Sequence, residues 1–365
     1  MSTSEDHSAA KSVGPLEGEP KYRAFISYSH ENYDLASKLA EALDNTDGVE
    51  ALWDEQFAHG QGFHEQIKNH IAHAHVFVPI LTEQASQRIW VHQEIGFSMA
   101  LNIPVLPIAV GELPEGLIQL KHALRLVDGD VNSIRGYLSS ERIAALIERS
   151  SGRSEAIYAC AEFAEDRARL MAQYAEDVMA LGKHGIVRQR GGLSSFAIPT
   201  QTIGHSIWKR RYGNFTKSDD HCRNQRKERL ALGRHAEARG CKLIIESDIT
   251  YEKFGVDARL CRLECLLGFL QSMNNENCQV AIHLDQSHSE SVTLVGNWFC
   301  AEAIAGSLQA GFRQTVFTRH APTVMEKLYD FDAKFDELLD GHIRKQESRD
   351  YAIAHIEDLI KSLKS

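Results

Sequence analysis

Residues 76–81 of the chain, Val-Phe-Val-Pro-Ile-Leu, form an apolar run that decides the fold of its first part. A strand with no polar face must be buried on both sides, as in the centre of a parallel sheet. Residues 23–28, 49–53 and 103–110 are further short apolar runs, and the segments between them carry apolar residues at helical spacing, as in 33–43. Strands and helices therefore alternate, and the sequence predicts an α/β domain with helices on both faces of a parallel sheet.

Length and composition bound the class of protein. The 365 residues are enough for two domains that each bury a core. The net charge of −10 argues against a protein that binds nucleic acid along its whole length. No apolar run approaches the roughly 18 residues of a membrane span, so we expect a cytoplasmic protein without a membrane partner. The 7 cysteines include no Cys-x-x-Cys pair, which favours reduced thiols and no metal site.

Beyond the first sheet the pattern changes, and we predict five segments. They are a disordered leader at residues 1–20, the α/β domain at 21–128, a helical connector at 129–185, a second mixed α/β domain at 186–345 that senses a signal or forms oligomers, and a terminal helix at 346–365. The leader is polar and lacks the apolar core of a signal peptide. The connector is predicted because residues 134–148 and 155–181 have helical spacing.

The second domain has its own set of short apolar runs and longer periodic segments. The runs predict strands at 194–199, 241–246, 278–284, 291–295 and 314–318. The periodic segments predict helices at 224–239, 257–273 and 324–339.

Polar and aromatic residues follow the strands of the first domain at their carboxyl ends. In an open α/β sheet, ligands bind at this edge, where the strand order reverses. The first strand ends in Ser-Tyr-Ser, a glycine-containing loop spans residues 54–63, and Trp90 and Glu94 lie four apart on one face of a predicted helix. The candidate site therefore collects Phe25, Ser27, Tyr28, Ser29, Asp54, Gly60, Gly62, Phe63, Trp90 and Glu94.

Three of these stretches together resemble the Toll/interleukin-1 receptor (TIR) domain, in the subfamily common in bacteria. They are residues 25–30 (Phe-Ile-Ser-Tyr-Ser-His), the loop 54–63 and the pair Trp90 and Glu94. The resemblance implies a flavodoxin-like fold, self-association through TIR domains, and cleavage of NAD+ with Glu94 as the catalytic residue. It also implies that the loop is the BB loop, which completes the site of a neighbouring molecule. Phe63 departs from the pattern, since many relatives have tryptophan there.

The chemistry of NAD+ suits a single carboxylate. Nicotinamide is cationic while it is bonded to ribose and leaves as a neutral group, so the reaction needs no general acid, unlike ordinary glycoside hydrolysis. One carboxylate can stabilise the oxocarbenium-like transition state or attack it, and burial would raise the pKa of that carboxylate. NAD+ is then a substrate and no cofactor is expected. Gly60 and Gly62 do not form a dinucleotide-binding fingerprint, because the third glycine is missing.

The predicted function is thus an NAD+ glycohydrolase that yields ADP-ribose or a cyclic isomer, in the manner of antiviral defence effectors activated by oligomerisation. Two alternatives stay open. One is a non-catalytic TIR scaffold, in which Trp90 is a core aromatic and Glu94 a solvated carboxylate. The other is a regulator that binds a nucleotide or nucleic acid as its trigger.

The alternative of a nucleotide or nucleic-acid trigger rests on a basic segment at residues 208–235, which interleaves aromatic residues with lysine and arginine. We predict phosphate contacts by Arg223, Arg226 and Lys227. Part of the segment is also expected to be an ordinary amphipathic helix with Leu230 and Leu232 facing inward.

A second polar stretch, residues 281–288, weakly resembles phospholipase-D-like domains, which have a histidine at a strand end. Those enzymes require His-x-Lys, and Asp285 stands where the lysine would be, so we expect a degenerate domain that senses and does not catalyse. His283, Asp285 and His288 could alternatively ligate a metal, although solvent-facing polar residues at a strand end are the ordinary interpretation.

Overall fold

The computed structural model of the protein describes two sheets with their helices. The described residues are 22–53, 63–82, 89–111, 123–126, 129–150, 158–161, 164–191, 193–197, 218–246, 256–274, 276–283, 291–304, 314–339 and 347–365. The predicted leader at 1–20 lies outside them.

The first sheet has five parallel strands in the order β2-β1-β3-β4-β5. Their bounds are β1 Tyr22–Ser27, β2 Val49–Leu52, β3 Val76–Leu81, β4 Ile108–Val110 and β5 Leu124–Leu126. Every residue of β3 is buried, as its composition predicts. The strand order reverses between β1 and β3, so the edge beyond these two strands is the expected ligand position.

The strand predicted at 103–110 is shorter than expected. Only β4 is regular, and Val105 makes an isolated bridge to Phe77. Pro104 and Pro107 have no N–H to donate to a neighbouring strand, which accounts for the irregular first half.

Helices cover both faces of the first sheet, which confirms the predicted flavodoxin-like arrangement. One face packs against α1 Tyr33–Asp44, a 3-10 helix at Val131–Tyr137 and a helix at Ser140–Ser150, here α4. The other face packs against α2 Phe63–His73 and α3 Ile89–Ala100. Apolar residues line both contacts, for example Leu39 and Leu43 on α1 and Ile67 and Ile71 on α2.

The second sheet is mixed, as predicted, and has seven strands in the order β6-β12-β11-β10-β7-β8-β9. Strands β7, β8 and β9 are parallel, and the others pair in antiparallel fashion. The bounds are β6 Tyr158–Ala161, β7 Val187–Gly191, β8 Cys241–Glu246, β9 Cys278–His283, β10 Ser291–Val295, β11 Phe299–Ile304 and β12 Gln314–Thr318.

Five longer helices accompany this sheet within the described part of the chain. They are α5 Ala164–Ala180, α6 Ser218–Arg239, α7 Val256–Ser272, α8 Ala321–Leu339 and α9 Ser348–Lys364. The terminal helix α9 is part of this domain, because Ala352, Ile356 and Ile360 are buried in its core.

The predicted helical connector at 129–185 is wrong, because this segment divides between the two sheets. Helix α4 packs on the first sheet through Ile143 and Ile147. Within the helix predicted at 155–181, Tyr158–Ala161 is instead strand β6, paired with β12. Its residues are adequate helix formers, so tertiary pairing overrides local preference there.

The strand predicted at 194–199 is also wrong. Residues Ser194–Phe196 form a 3-10 helix, and the strand lies earlier, at β7. The sequence of β7, Val-Arg-Gln-Arg-Gly, is too polar to predict a buried strand. The strand is nevertheless buried, because distant partners satisfy its polar side chains. Arg188, for instance, is 3% exposed and forms a paired contact with Asp332 on α8.

A buried arginine joins the two domains. Arg23 on β1 is fully buried, and its Nε donates to the carbonyl of His73 at 2.7 Å. Its Nη1 donates to Asn297 Oδ1 at 2.5 Å, and its Nη2 to the carbonyl of Asn297 at 3.0 Å. The guanidinium carbon lies 3.9 Å from the ring centroid of Trp298. Asn297 and Trp298 lie in the turn between β10 and β11, so the second domain closes the pocket around this charge.

Two further polar contacts join the domains beside this arginine. Lys183 Nζ lies 2.6 Å from Glu50 Oε1, and Asn69 Nδ2 donates to the carbonyl of Asp177 at 2.9 Å. The partly exposed ion pair between Lys183 and Glu50 stabilises the interface little, while the buried guanidinium of Arg23 depends on each of its acceptors.

We predict that Asn297→Ala destabilises the protein. The substitution leaves the Nη1 donor of a buried charge without its side-chain acceptor, which should lower the free energy of unfolding by about 2 kcal/mol. Urea unfolding measures the change. Asn132→Ala is the control, because Asn132 is exposed and bonds only to the neighbouring Asp130; equal effects of the two substitutions would contradict the role of Arg23.

Candidate functional site

Glu94 lies on the buried face of α3. The residues of this helix that face the sheet are Val91, Glu94, Ile95 and Ser98, at the spacing of one helical stripe. The carboxylate of Glu94 therefore occupies a position that an apolar residue would ordinarily fill, and Glu94 is only 7% exposed. Among the described residues no cation contacts this carboxylate, so packing alone does not explain why a carboxylate is buried here.

Ser27 is the hydrogen-bond partner of this carboxylate. Side chains alternate along a strand, so Ser27 points to the same face of β1 as Phe25, toward α2 and α3. Its hydroxyl donates to Glu94 Oε2 at 2.6 Å. Because Ser27 ends β1, the contact lies at the carboxyl edge of the sheet, beside the position where the strand order reverses.

The environment raises the pKa of Glu94. Burial disfavours the charged form and raises the pKa from 4.5 to about 7, while the hydrogen bond from Ser27 acts in the opposite direction and lowers it. The group therefore exchanges its proton near neutral pH. Carboxyl groups with such pKa values are typical of sites that take part in acid–base or ionic chemistry.

Three aromatic rings lie beyond the carboxyl ends of β1 and β2. The ring centroid of Tyr28 lies 6.3 Å from that of Tyr33 and 6.2 Å from that of Trp53, and Tyr33 and Trp53 are 5.7 Å apart. Tyr28 and Trp53 are half-buried, and Tyr33 is exposed. The sequence analysis selected only Tyr28. Trp53 directly follows β2, and that position alone marks it as a residue of this edge.

The remaining predicted residues of this site divide into three groups. Phe25 is fully buried and stacks on Phe77, so we correct its role from substrate binding to packing. Ser29 is buried and its hydroxyl accepts a hydrogen bond from Asn32 Nδ2 at 2.8 Å, which holds the turn after β1. The others lie outside the described residues or have side chains outside them: Asp54, Gly60, Gly62, Phe63 and Trp90.

The predicted phosphate contacts lie on α6. Arg223 and Lys227 are exposed, Arg226 is half-buried, and Arg223 pairs with Asp220 at 3.1 Å. Leu232 faces inward as predicted, but the same prediction for Leu230 is wrong, because Leu230 is 54% exposed. The buried stripe of α6 instead contains Glu228, whose carboxylate forms a two-pronged contact with Arg167.

The polar stretch at 281–288 is described only in part. His283 ends β9 and is buried, while Asp285 and His288 lie outside the described residues. Among the residues with a described position, no group of three His, Cys, Asp or Glu side chains could hold a metal ion. In the same part of the chain, no helix is both long and apolar enough to cross a membrane.

Comparison with known families identifies the first domain. Residues 24–138 match the family model described as TIR domain. Residues 24–138 are a TIR domain. The matched range ends at the 3-10 helix Val131–Tyr137, which packs on the sheet of this TIR domain and lies beyond the predicted boundary at 128.

Two solved structures are distantly similar to parts of the chain. A metazoan TIR-STING receptor from C. gigas is 13% identical, with a TM-score of 0.23, over 75% of this chain and 92% of that one. TrmBL2, described as an archaeal chromatin protein, is 8% identical, with a TM-score of 0.30, over 54% of this chain. This chain spans 59% of the length of the TrmBL2 chain. No curated protein sequence matches the chain.

The raised pKa of Glu94 predicts a dependence of stability on pH. Between the unfolded pKa of 4.5 and the folded pKa of about 7, the folded state binds more protons than the unfolded state, so stability falls as the pH rises through this window. Glu94→Gln removes the effect and keeps an acceptor for Ser27. The free energy of unfolding of Glu94→Gln minus that of wild type should be about 2 kcal/mol larger at pH 8 than at pH 5.

Urea unfolding at the two pH values measures this difference. Glu41→Gln is the matched control, because Glu41 is exposed on α1. If the difference in free energy of unfolding between Glu94→Gln and wild type changes no more with pH than it does for the control, Glu94 has an ordinary pKa.

We also predict that Ser27→Ala raises the pKa of Glu94 above that of wild type. The substitution removes the hydroxyl that stabilises the carboxylate, so burial acts unopposed. Carbon-13 NMR of the glutamate carboxyl groups follows the titration. In Ser98→Ala the pKa of Glu94 should stay unchanged, because the Ser98 hydroxyl donates to the Ile95 carbonyl on the same helix. A pKa of Glu94 that is unchanged in Ser27→Ala would contradict the assigned contact.

Proposed function

We propose that the TIR domain is an NAD+ glycohydrolase and that Glu94 is its catalytic carboxylate. One observation carries the proposal. Glu94 is a buried carboxylate that no cation of the described residues contacts by a hydrogen bond, and Ser27 holds it at the carboxyl edge of the sheet, where open α/β sheets bind ligands. A packing role would not require a charged group at this position, whereas a reaction with a cationic transition state would.

The reaction breaks the bond between C1′ of ribose and the pyridinium nitrogen. The bonding electron pair leaves with nicotinamide, which becomes neutral, and positive charge develops on C1′ and the ring oxygen of ribose. The carboxylate of Glu94 stabilises that charge, and water then attacks C1′ and releases a proton to give ADP-ribose. Only the ionised form of Glu94 can act in this way.

Other described residues support the site without reacting. Ser27 positions the carboxylate and favours its ionised form, since its hydroxyl donates to Oε2. The aromatic cluster of Tyr28, Tyr33 and Trp53 offers flat apolar surfaces at the same edge, which suit the nicotinamide or adenine ring. We base these roles on the chemical complementarity between the edge of the sheet and a dinucleotide.

We further propose that the activity is controlled by self-association of TIR domains and serves antiviral defence by depleting NAD+. The support is the architecture: a domain that destroys a vital cofactor is joined to a second domain through the buried Arg23 contact. A trigger that binds the second domain could then bring TIR domains together. Concentrated protein or a crowding agent should raise the rate per molecule.

The proposal predicts that Glu94→Gln abolishes release of nicotinamide from NAD+. Removal of the carboxylate charge that stabilises the oxocarbenium should lower kcat/KM about 100- to 1,000-fold, the size of effect seen when an electrostatic group is removed from an active site. The measurement is chromatography of nicotinamide and ADP-ribose with concentrated full-length protein. Glu41→Gln should keep the wild-type rate, because Glu41 lies on the opposite face of the sheet.

The same experiment tests the scaffold alternative. If assembled wild-type protein, confirmed by light scattering, leaves NAD+ intact, the enzyme proposal fails and the TIR domain acts by contact alone. If wild type and Glu94→Gln cleave NAD+ at equal rates, the domain is an enzyme but Glu94 is not its catalytic residue.

A further inference from the structure

Two cysteines of the second domain lie on one face of a helix, next to an arginine. Cys261 and Cys265 are four residues apart on α7, so their side chains are neighbours on the helix surface. Arg229 reaches them from α6, and its Nη2 donates to the carbonyl of Cys265 at 3.0 Å. Two thiols and a cation therefore lie together between these two helices.

The guanidinium of Arg229 has no carboxylate partner among the described residues. Its carbon lies 5.0 Å from the ring centroid of Phe196, and its Nη1 is buried without a hydrogen-bond partner in the same part of the chain. Arg167 and Arg188, two other arginines of this domain, are each paired with an acid. The positive charge of Arg229 is therefore free to act on the thiols beside it.

This environment lowers the pKa of Cys265. The hydrogen bond from Cys261, together with the charge and hydrogen bond of Arg229, stabilises the thiolate and outweighs the effect of burial, so the pKa falls from 9.0 to about 7. Glu264 acts in the opposite direction, but its carboxylate lies 2.9 Å from the ammonium group of Lys364. A large fraction of Cys265 is therefore thiolate at neutral pH.

Cys261 is the donor of the cysteine pair. Its Sγ lies 3.7 Å from the Ala197 carbonyl and also reaches the sulfur of Cys265, and a charged acceptor forms the stronger hydrogen bond. This hydrogen bond, followed by burial, raises the pKa of Cys261. One sulfur of the pair is thus a thiolate and the other stays a thiol.

Other cysteines of the second domain show what a purely structural thiol looks like. Cys241, Cys278 and Cys300 are buried in strands. Burial raises the pKa of Cys300 to about 12, and the contact with Cys278 together with burial raises the pKa of Cys241 well above 9.0. Cys265 differs in both respects, because it is only half-buried and lies beside a cation. Thiols in such surroundings are the reactive ones.

We propose that Cys265 is a site of oxidation by hydroperoxides, with Arg229 and Cys261 in contact with the reacting sulfur. The thiolate sulfur attacks one oxygen of the peroxide, an S–O bond forms and the O–O bond breaks. The electron pair of that bond leaves with the other oxygen, which takes a proton from water and departs as water or an alcohol. Cys265 is oxidised to sulfenic acid and the peroxide is reduced. The open Nη1 of Arg229 offers a donor to the new oxygen.

Helix geometry stops the oxidation at the sulfenic acid. Cβ atoms four residues apart on a helix are separated by about 5–6 Å, whereas a disulfide brings them to about 3.5–4.5 Å. Cys261 therefore cannot form a disulfide with Cys265 unless α7 unwinds. Return to the thiol requires a second thiol from solution, which attacks the sulfenic sulfur and releases water.

Peroxide treatment of the full-length protein in the presence of dimedone, which traps sulfenic acids, tests the proposal. Peptide mass spectrometry follows the labelled fraction of each cysteine at pH 7. We expect Cys265 to be labelled at least about fivefold faster than Cys160, although Cys160 is the more exposed. Hydrogen peroxide and tert-butyl hydroperoxide are compared at equal concentration, and the faster reaction identifies whether the oxidant is the free or the organic peroxide.

Substitutions then test the neighbours of the sulfur. Arg229→Gln should slow labelling of Cys265 at pH 7 at least about fivefold and move the pH midpoint of its alkylation by iodoacetamide upward. Arg234→Gln is the matched control, because Arg234 is exposed on the same helix. If Arg229→Gln fails to fold, Cys261→Ala removes the other stabilising contact and should move the midpoint in the same direction.

Three outcomes would overturn the proposal. If Cys160 is labelled as fast as Cys265, the site has no special reactivity. If the alkylation midpoint of Cys265 is the same in wild type, Arg229→Gln and Cys261→Ala, these neighbours do not activate the sulfur. If Cys265 is alkylated but gives no dimedone adduct with either peroxide, it does not react with hydroperoxides. None of these results bears on NAD+ cleavage, which is measured at the TIR domain.

Discussion

The buried guanidinium of Arg23 contacts both domains of this protein and lies at the centre of the polar contacts between them. Desolvation lowers its pKa to about 9, so the group is still protonated at neutral pH and needs every acceptor around it. Those acceptors are the carbonyl at the end of α2 and the Asn297 side chain and carbonyl in the turn between β10 and β11. One side chain thus joins β1 to two elements that are distant in sequence.

The same strand face carries the contact with the proposed catalytic residue. Arg23, Phe25 and Ser27 alternate along β1 and point to one side of the sheet. The first contacts the second domain, the second packs in the core, and the third holds Glu94. The contact between the domains and the Glu94 site therefore lie four residues apart on one strand.

Buried carboxylates elsewhere in the chain show why Glu94 is unusual. Asp332 lies between Arg188 and Lys242, whose charges and hydrogen bonds hold its pKa below the ordinary value against the effect of burial. Glu228 is fully buried but has the guanidinium of Arg167 against both oxygens. Among the described residues, the partner of the Glu94 carboxylate is the hydroxyl of Ser27. The structural carboxylates are neutralised by a cation, and the one at the edge of the TIR sheet keeps its charge available.

The sequence predicted those parts of the structure in which local pattern and burial agree. Strand β3 is uniformly apolar, and α3 follows it with Trp90 and Glu94 at helical spacing, so both elements and the position of Glu94 could be inferred. The sequence left the burial of Glu94 open, because a charged residue next to the polar Gln93 and Ser98 does not by itself indicate a buried helix face. Prediction failed where partners that are distant in sequence decide which segment is buried. Arg188 can be buried in β7 because it pairs with Asp332, which is 144 residues away in the sequence. The partner of Arg23 lies 274 residues away, and no local pattern indicates it.

The pH dependence of nicotinamide release tests the central claim most directly. If the ionised carboxylate of Glu94 stabilises the transition state, kcat/KM for NAD+ should rise with pH as one proton is lost, with its midpoint near the folded pKa of about 7. The midpoint should move upward in Ser27→Ala and stay in place in Ser98→Ala. A rate that is independent of pH across this range, or a midpoint that Ser27→Ala does not move, would contradict the assignment of Glu94 as the reacting carboxylate.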